Sequence, residues 1–309
     1  MDRTSEHHIN RIKYRTMGWA ICLLSAVLFS SKAIAIKLAY VYSIDATTLL
    51  ALRMIMALPI YLVMSFYYWT KSSVKRKSDA VQARYTFLTA GFLGYYLASL
   101  LDFMGLSYVS AQLERIVLFS YPMLVIVLGY FFFGQPLQRN VLIALPICWA
   151  GIAISMLADW QGAGRHVLLG SALVFGSAVT YAIYTLIARG MIQKLGSGLF
   201  TSVAMSCSAV ASVVHAIVVG GVDVLLQQEL AVYGYALYMA VFATVIPSYL
   251  FSEAVKRLGS DVASTASSIG PVMTSAMAVV ILHEPFGLWQ MLGLACVLLS
   301  IGWLSQAKE

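Results

Sequence analysis

The chain has 309 residues, of which 61% are hydrophobic and 11% are charged, with a formal net charge of +7 and a mean hydropathy of +0.83. Soluble domains are about 45–50% apolar and about 25% charged, so this composition excludes an ordinary soluble protein. Apolar runs of about 20 residues recur, and each is long enough to cross a bilayer as a helix. The sequence therefore predicts an all-α integral membrane protein, whose cations mark membrane sidedness and not a nucleic-acid surface.

In chain order, a polar and basic tail over residues 1–16 precedes ten predicted transmembrane helices. If the amino terminus is cytoplasmic, fifteen of the twenty lysines and arginines fall on the inner side, as the positive-inside rule requires. We therefore expect a multi-pass protein of the cytoplasmic (inner) membrane with both termini in the cytoplasm. The predicted spans are 17–38, 46–69, 84–106, 109–133, 138–158, 167–190, 197–221, 231–253, 260–282 and 286–306.

Two prolines keep the same spacing in two apolar segments. Pro122 and Pro271 are 149 residues apart, and so are Pro136 and Pro285, which close the two segments. Repeats in membrane chains point to transporters built from two halves. Since each half would hold five helices, an odd number, the second half must be inverted. We predict two inverted five-helix repeats, over 17–158 and 167–306.

The motifs around these prolines resemble a known family. Gly105-Leu106-Ser107-Tyr108 precedes the first proline helix, and Arg257-Leu258-Gly259-Ser260 precedes the second. With Lys37 near the end of the first helix and Arg53 in the second, the chain resembles the drug/metabolite transporter superfamily, in its EamA family. The resemblance implies a polytopic metabolite carrier, often an exporter, with a central cavity between inverted halves. The family often has an acidic residue after its fourth helix, where this chain has Gln135, whereas Glu284 fits the pattern in the second half.

Charged residues within the predicted spans are the first candidates for a site. Each costs about 2.5–3.5 kcal/mol or more at the bilayer centre, so such residues usually face a cavity or a partner. We predict an outer gate from Lys37 and Asp102. An inner gate would use Arg189, Glu253 and Asp261, although snorkelling, structural pairing and the positive-inside rule are alternatives. The charged residues predicted to line the cavity are Lys32, Arg53, Glu114 and Arg115.

The uncharged candidates lie near the two prolines. Pro122 and Pro271 each free a backbone carbonyl near mid-membrane, where it must be satisfied again. Tyr121 is the best single cavity candidate because it lies beside Pro122, well inside its span. Close packing of small residues and interfacial aromatic belts are the alternatives. The other predicted cavity residues are Tyr95, Tyr181, Tyr184 and Ser267.

The sequence contains no phosphate-binding loop of the GxxxxGK[ST] type, no paired Cys/His metal spacing and no HExxH or GxSxG motif. We therefore expect no enzyme activity, no metal and no cofactor. The predicted function is secondary transport, as an exporter, of small polar metabolites such as amino acids by alternating access. The predicted partners are that substrate, a coupling ion such as H⁺ and the lipid bilayer, and the chain is expected to be a monomer or homodimer. A lipid or lipid-precursor flippase and a non-transporting membrane sensor subunit are the alternatives.

Overall fold

The computed structural model describes residues 3–136, 139–258 and 268–306, and the secondary structure of these residues is helical, with no strand among them. The all-α prediction is therefore confirmed for the described residues. The first helix starts at Arg3, so the polar stretch expected to form a tail is helical from that residue. The helices are α1 Arg3–Tyr40, α2 Ala46–Thr70, α3 Val74–Gln82, α4 Arg84–Leu106, α5 Ala111–Leu118, α6 Tyr121–Phe133, α7 Arg139–Ala163, α8 His166–Leu195, α9 Ser197–Gly220, α10 Asp223–Leu226, α11 Leu230–Leu258, α12 Gly270–Leu282 and α13 Leu288–Gln306.

Within the described residues, eight helical segments are long and apolar enough to cross a membrane. The predicted spans 260–282 and 286–306 correspond to shorter apolar helices, Gly270–Leu282 and Leu288–Leu304. A 13-residue helix rises about 20 Å, less than the thickness of the hydrocarbon core, which is about 30 Å. Residues 259–267, which include the predicted start of the ninth span, lie outside the described part of the chain.

The fourth predicted span, 109–133, is broken in the middle. Helix α5 starts where the Ser110 hydroxyl accepts a hydrogen bond from Leu113 N, and it ends at Leu118. Helix α6 then starts at Tyr121 with Pro122 in its first turn. Proline has no N–H and its ring clashes with the preceding helical turn, so a continuous helix through this position is disfavoured. The break places a helix end close to the predicted cavity residues.

Helix α12 reproduces α6 in its backbone. Both have 13 residues, both have proline in the first turn, and both end at a left-handed residue, Gly134 (φ 62°) and His283 (φ 55°). The next amide in each case donates to a carbonyl six residues earlier, Gln135 N to Gly129 O and Glu284 N to Ala278 O, both at 3.1 Å. These two bonds are the same helix-ending arrangement, one repeat length apart.

A second matched feature lies in α4 and α11. Each contains a π-helical segment, Gly91–Leu97 in α4 and Val241–Val245 in α11. Residue 241 follows residue 92 by the same 149 positions that separate the prolines. Isolated π turns bend helices and are frequent at functional sites.

The long helices pack against one another in pairs. Helix α1 packs against α11 and α12, while α8 packs against α4 and α6. Helix α2 packs against α9, and α7 against α13. Small residues allow these close approaches: a Cβ added at Gly94 of α4 would overlap the Tyr184 ring of α8. The contact between α4 and α8 positions the aromatic residues described below.

Candidate functional site

The centre of the candidate site is an ammonium group between two buried carboxyl groups. Lys32 Nζ of α1 lies 2.5 Å from Asp102 Oδ2 of α4 and 3.9 Å from Glu114 Oε1 of α5. Asp102 is 2% exposed and Glu114 is 0% exposed. Charges buried this deeply are costly unless they are paired, so these three helices must meet in one arrangement to keep the ions together.

Arg115, which follows Glu114 in α5, connects this centre to the second half of the chain. It is buried, and its Nη2 lies 3.4 Å from the hydroxyl of Ser30 on α1. The same hydroxyl lies 3.0 Å from the carbonyl oxygen of Gly270, in the first turn of α12, and Thr274 Oγ1 donates to Ser30 O. The start of the second proline helix thus contacts the charged residues of the first half.

Arg53 of α2 lies apart from these ion pairs. Its guanidinium lies 5.2 Å from the Phe103 ring centroid, within the range of a cation–π interaction, and Nη2 lies 3.7 Å from Met54 Sδ. Arg53 is 4% exposed, and among the described residues no carboxylate oxygen lies within 4.0 Å of it. We call Lys32, Arg53, Asp102, Glu114 and Arg115 the buried charge cluster.

The four predicted cavity tyrosines come together beside this cluster. The ring centroids of Tyr121 and Tyr181 are 5.3 Å apart, and those of Tyr181 and Tyr184 are 5.4 Å apart. The hydroxyl groups of Tyr184 and Tyr95 lie 2.7 Å apart, at hydrogen-bonding distance. Phe119 connects Tyr121, at 6.5 Å between centroids, to the Arg115 guanidinium, at 5.7 Å. We call Tyr95, Tyr121, Tyr181 and Tyr184 the tyrosine array.

A cavity of about 630 Å³ lies at the other end of the array, on the side where the inner loops were predicted. Tyr184 packs against Phe200 at 6.4 Å between centroids, and Ser202 Oγ lies 3.3 Å from the hydroxyl of Tyr249, which lines the cavity. Sequence reasoning missed Tyr68, Lys71 and Arg76 of this wall, and the positive-inside rule already explained the charges of the two cations. We call the cavity lined by these residues and Lys256 the inner cavity.

Of the predicted inner gate, Glu253 is placed at the rim of this inner cavity. It pairs with Lys256 at 3.3 Å and with Arg257 at 2.9 Å, and its side chain is 37% exposed. Arg189 is exposed and does not line the cavity. Asp261 and Ser267 lie outside the described residues.

Lys37 and Asp102, the residues predicted for an outer gate, do not form an ion pair with each other. Asp102 binds Lys32, which lies five residues earlier in α1, a shift of about 7.5 Å along the helix. Lys37 makes no ion pair within 4.0 Å among the described residues, although Glu284 and Asp159 act on it through space.

Two carboxylates hold the start of α5 on the predicted outer side. Glu284 accepts from the amides of Ala111 at 2.8 Å and Gln112 at 3.4 Å. Asp159 accepts from the Ser110 amide at 2.8 Å and from its hydroxyl at 2.9 Å. Carboxylates at a helix N-terminus satisfy its free amides and its positive dipole. We call this arrangement the outer cap. The acidic position of the family pattern, Glu284, was the signal for it.

Pro122 and Pro271 each occupy the first turn of a helix. Pro271 is buried beside Gly270, and Pro122 is half-buried next to Tyr121 of the array.

Among the described residues, no group of three or more His, Cys, Asp or Glu side chains is placed to hold a metal ion. The arrangement brings paired charges and aromatic faces close together.

Comparisons with known proteins agree with the sequence resemblance. The profile of the EamA-like transporter family matches residues 16–157 and again residues 168–306. "Uncharacterized transporter YcbK" of Bacillus subtilis (strain 168) is 28% identical over 97% of this chain and 96% of its own. "Uncharacterized transporter YetK" of the same organism is 23% identical over 92% of this chain and 86% of its own.

A solved crystal structure, described only as that of a protein, is similar in fold. Its TM-score is 0.65 at 14% identity, covering 95% of this chain and 99% of that chain. Together with the membrane-length helices and the two profile matches, these likenesses identify a multi-pass membrane protein. The chain belongs to the EamA-like transporter family.

Proposed function

We propose that the protein is a secondary transporter that exports small zwitterionic metabolites, such as amino acids, across the cytoplasmic membrane by alternating access. The observation that carries this proposal is a buried charge cluster connected by an aromatic array to an open cavity on one side. The cluster would bind the polar end of the substrate, and the array would contact its side chain.

The proposal also includes an architecture of ten membrane spans arranged as two inverted halves. If the five helical regions of one half are exchanged for those of the other, the packing pairs named above become observed pairs: α1 with α11 becomes α8 with α4, and α1 with α12 becomes α8 with α6. The pairs α2 with α9 and α7 with α13 each map onto themselves. The matched helix ends and π turns, and the two profile matches, support the same symmetry.

The charges of the cluster favour a substrate that carries both signs. The cluster contains three cations, Lys32, Arg53 and Arg115, and two carboxyl groups. An α-carboxylate would satisfy Arg115, whose guanidinium, among the described residues, hydrogen-bonds only the Ser30 hydroxyl, at 3.4 Å, and lies near the Phe119 ring. An α-ammonium would satisfy the oxygens of Glu114. Amino acids combine the two groups at the required short separation.

The sides of the molecule differ in a way that fits loading from the cytoplasm. On the predicted outer side the outer cap joins α5 to the loop after α12. On the predicted inner side the cavity is open between α2, α9 and α11. The structure would then represent an inward-facing state, in which an exporter receives its substrate.

The experiment is exchange in reconstituted vesicles. Purified protein is placed in vesicles preloaded with a mixture of the twenty unlabelled amino acids, and uptake of each labelled amino acid is followed. Saturable, protein-dependent exchange of at least one amino acid is expected. Absence of exchange for all twenty, in vesicles where the protein is shown to be folded, would refute the proposal. Movement of a fluorescent lipid between leaflets would instead support the flippase.

A further inference from the structure

Both carboxyl oxygens of Glu114 lack a hydrogen-bond donor, and the ion pair with Lys32 does not provide one. Its side chain is 0% exposed, and neither carboxyl oxygen receives a hydrogen bond from any residue in the described ranges. Asp102 Oδ1 is buried and lacks a donor in the same way. Since buried polar atoms are nearly always hydrogen-bonded, three such oxygens at one point need an explanation.

Lys32 does not supply the missing donors. Its Nζ is 2.5 Å from Asp102 Oδ2, which is a hydrogen-bonded ion pair. The same nitrogen is 3.9 Å from Glu114 Oε1, which is within ion-pair range but too long for a hydrogen bond. The ammonium therefore donates a hydrogen bond to one carboxyl oxygen, Asp102 Oδ2, and leaves the other three oxygens without a donor.

The two carboxyl groups lie against the same ammonium group, that of Lys32, and are therefore close neighbours. As carboxylates, both would have only acceptors, and two like charges would be held side by side in a dry site. A proton on one of them supplies the missing donor and removes one of the two charges. An added metal cation would instead be placed beside the ammonium of Lys32, where like charges repel.

The surroundings of Glu114 include other charged and titratable groups on the helices that pack against α5. Helix α12 contributes none in its described part, and α13 contributes only the thiol of Cys296. The groups on the other elements include Lys32 and Lys37 on α1, Asp102 on α4, Arg115 on α5 itself, Asp159 on α7, Glu284 in the loop before α13, and Tyr181 with His166, Arg189 and Lys194 on α8.

We infer that Glu114 is a proton-binding site, that its proton is shared with Asp102, and that this proton is the ion exchanged for the substrate. The inference rests on the proposed transport function. A substrate ammonium needs the same carboxyl oxygens as the proton, so the two exclude one another. On the inner side the ammonium docks as the proton leaves Glu114 for water. On the outer side a proton from water binds Glu114 as the ammonium leaves.

The first test asks whether the proton is present and does not depend on transport. Infrared difference spectra of the purified protein are recorded in water and in deuterium oxide. A protonated-carboxyl band that shifts on deuteration is expected in the wild type at neutral pH and is expected to be lost in Glu114→Gln. Glu229→Gln, at an exposed glutamate before α11, is the matched control and should keep the band.

If Glu114→Gln does not fold, Asp102→Asn replaces it, because removing the partner carboxylate should shift the band measurably. A wild-type spectrum without a deuteration-sensitive carboxyl band would overturn the inference. So would a band that is unchanged in both variants, since the proton would then lie elsewhere. A spectrum that responds to sodium ions and not to pH would likewise overturn it, by assigning the site to a metal cation.

The second test asks whether the proton is exchanged. Vesicles carry a trapped pH-sensitive dye, and an outward gradient of the twenty-amino-acid mixture is imposed. The lumen is expected to acidify with wild type and with Glu229→Gln, whereas Glu114→Gln should lose at least tenfold of this proton movement. Amino acid exchange without proton movement would leave the carrier intact and refute the coupling. A carboxyl band without amino acid exchange would refute the carrier and retain the proton site.

Discussion

The buried charge cluster and the inner cavity are both built from lysine, arginine and carboxylate side chains, yet their environments are opposite. In the cluster, Asp102 and Glu114 are 2% and 0% exposed. At the rim of the cavity, the side chains of Glu253 and Lys256 are 37% and 71% exposed. The five charged residues of the cluster therefore all precede residue 158 and are largely removed from water, whereas Glu253 and Lys256 at the cavity rim remain exposed.

This difference separates charges that determine structure from charges that determine sidedness. A buried ion that loses its partner costs several kcal/mol, whereas an exposed pair contributes little. The cluster should thus be sensitive to every substitution, and the cavity rim should tolerate most of them. Substitutions of matched residues in the buried charge cluster and at the cavity rim test this contrast.

The largest effect is expected for Lys32→Met, which removes the ammonium between Asp102 and Glu114. Leaving a carboxylate buried without its cation costs about 3–5 kcal/mol, so the melting temperature in detergent and the exchange flux should both fall steeply. Lys256→Met, which removes a cation that is 71% exposed, is the control and should leave the melting temperature unchanged. Equal losses in the two variants would break the contrast.

A smaller effect is expected for Glu284→Gln, which weakens the bonds to the amides of Ala111 and Gln112. Hydrogen bonds to a charged group contribute about 1.5–3 kcal/mol, so the outer side should open more often, by roughly tenfold or more. The measurement is the labelling rate of Ala111→Cys by an impermeant maleimide added outside, in a background without the native cysteines.

The matched control is Gln135→Glu, one repeat length earlier. The Gln135 side chain lies against Gly129 of the preceding helix, α6, so this substitution should not accelerate outer labelling. An unchanged labelling rate for Glu284→Gln would mean that the outer cap does not hold the outer side closed.

Gly94→Ala tests the tyrosine array that lies between the two regions. The added methyl would overlap the Tyr184 ring, and overpacking of this kind costs about 1–3 kcal/mol. We expect a moderate drop in melting temperature and in flux. Gly190→Ala is the control because nothing lies within 4 Å of its new methyl; a similar drop there would mean that the packing between α4 and α8 is not special.

The smallest effect is expected for Glu253→Gln, which breaks exposed pairs with Lys256 and Arg257. Such pairs are screened by water and salt, so flux at saturating substrate should stay within about twofold of the wild type. A much larger loss, at normal membrane abundance, would make Glu253 part of the translocation pathway and would remove the contrast between the two sides.

The sequence predicted the helical class, the membrane location and the membership of the family, because these depend on composition, periodicity and the spacing of Pro122 and Pro271. It also selected Glu114 and Arg115, since charges inside apolar runs must avoid lipid. It could not choose between Lys32 and Lys37 as the partner of Asp102. That pairing depends on how α1 and α4 are rotated and shifted relative to each other, which only tertiary packing determines.

The outer cap was missed for a related reason. Glu284 lies 173 residues from Ala111, whose amide it binds, and nothing local to either residue indicates the contact. The sequence named all four tyrosines of the array as cavity candidates and ranked Tyr121 first, because a tyrosine deep in its span fits an interfacial belt poorly. Their order along the array follows from the contacts of α6 with α8 and of α8 with α4, which no local pattern specifies.

The most direct test of the central claim is the exchange flux of Arg115→Gln, measured in reconstituted vesicles and normalised to the amount of folded protein. The control is Arg165→Gln, at an exposed arginine before α8. If Arg115 binds the carboxylate of the substrate, Arg115→Gln should lose at least tenfold of the flux and Arg165→Gln should keep it. Normal flux through folded Arg115→Gln would contradict the claim that substrate crosses the membrane by way of the buried charge cluster.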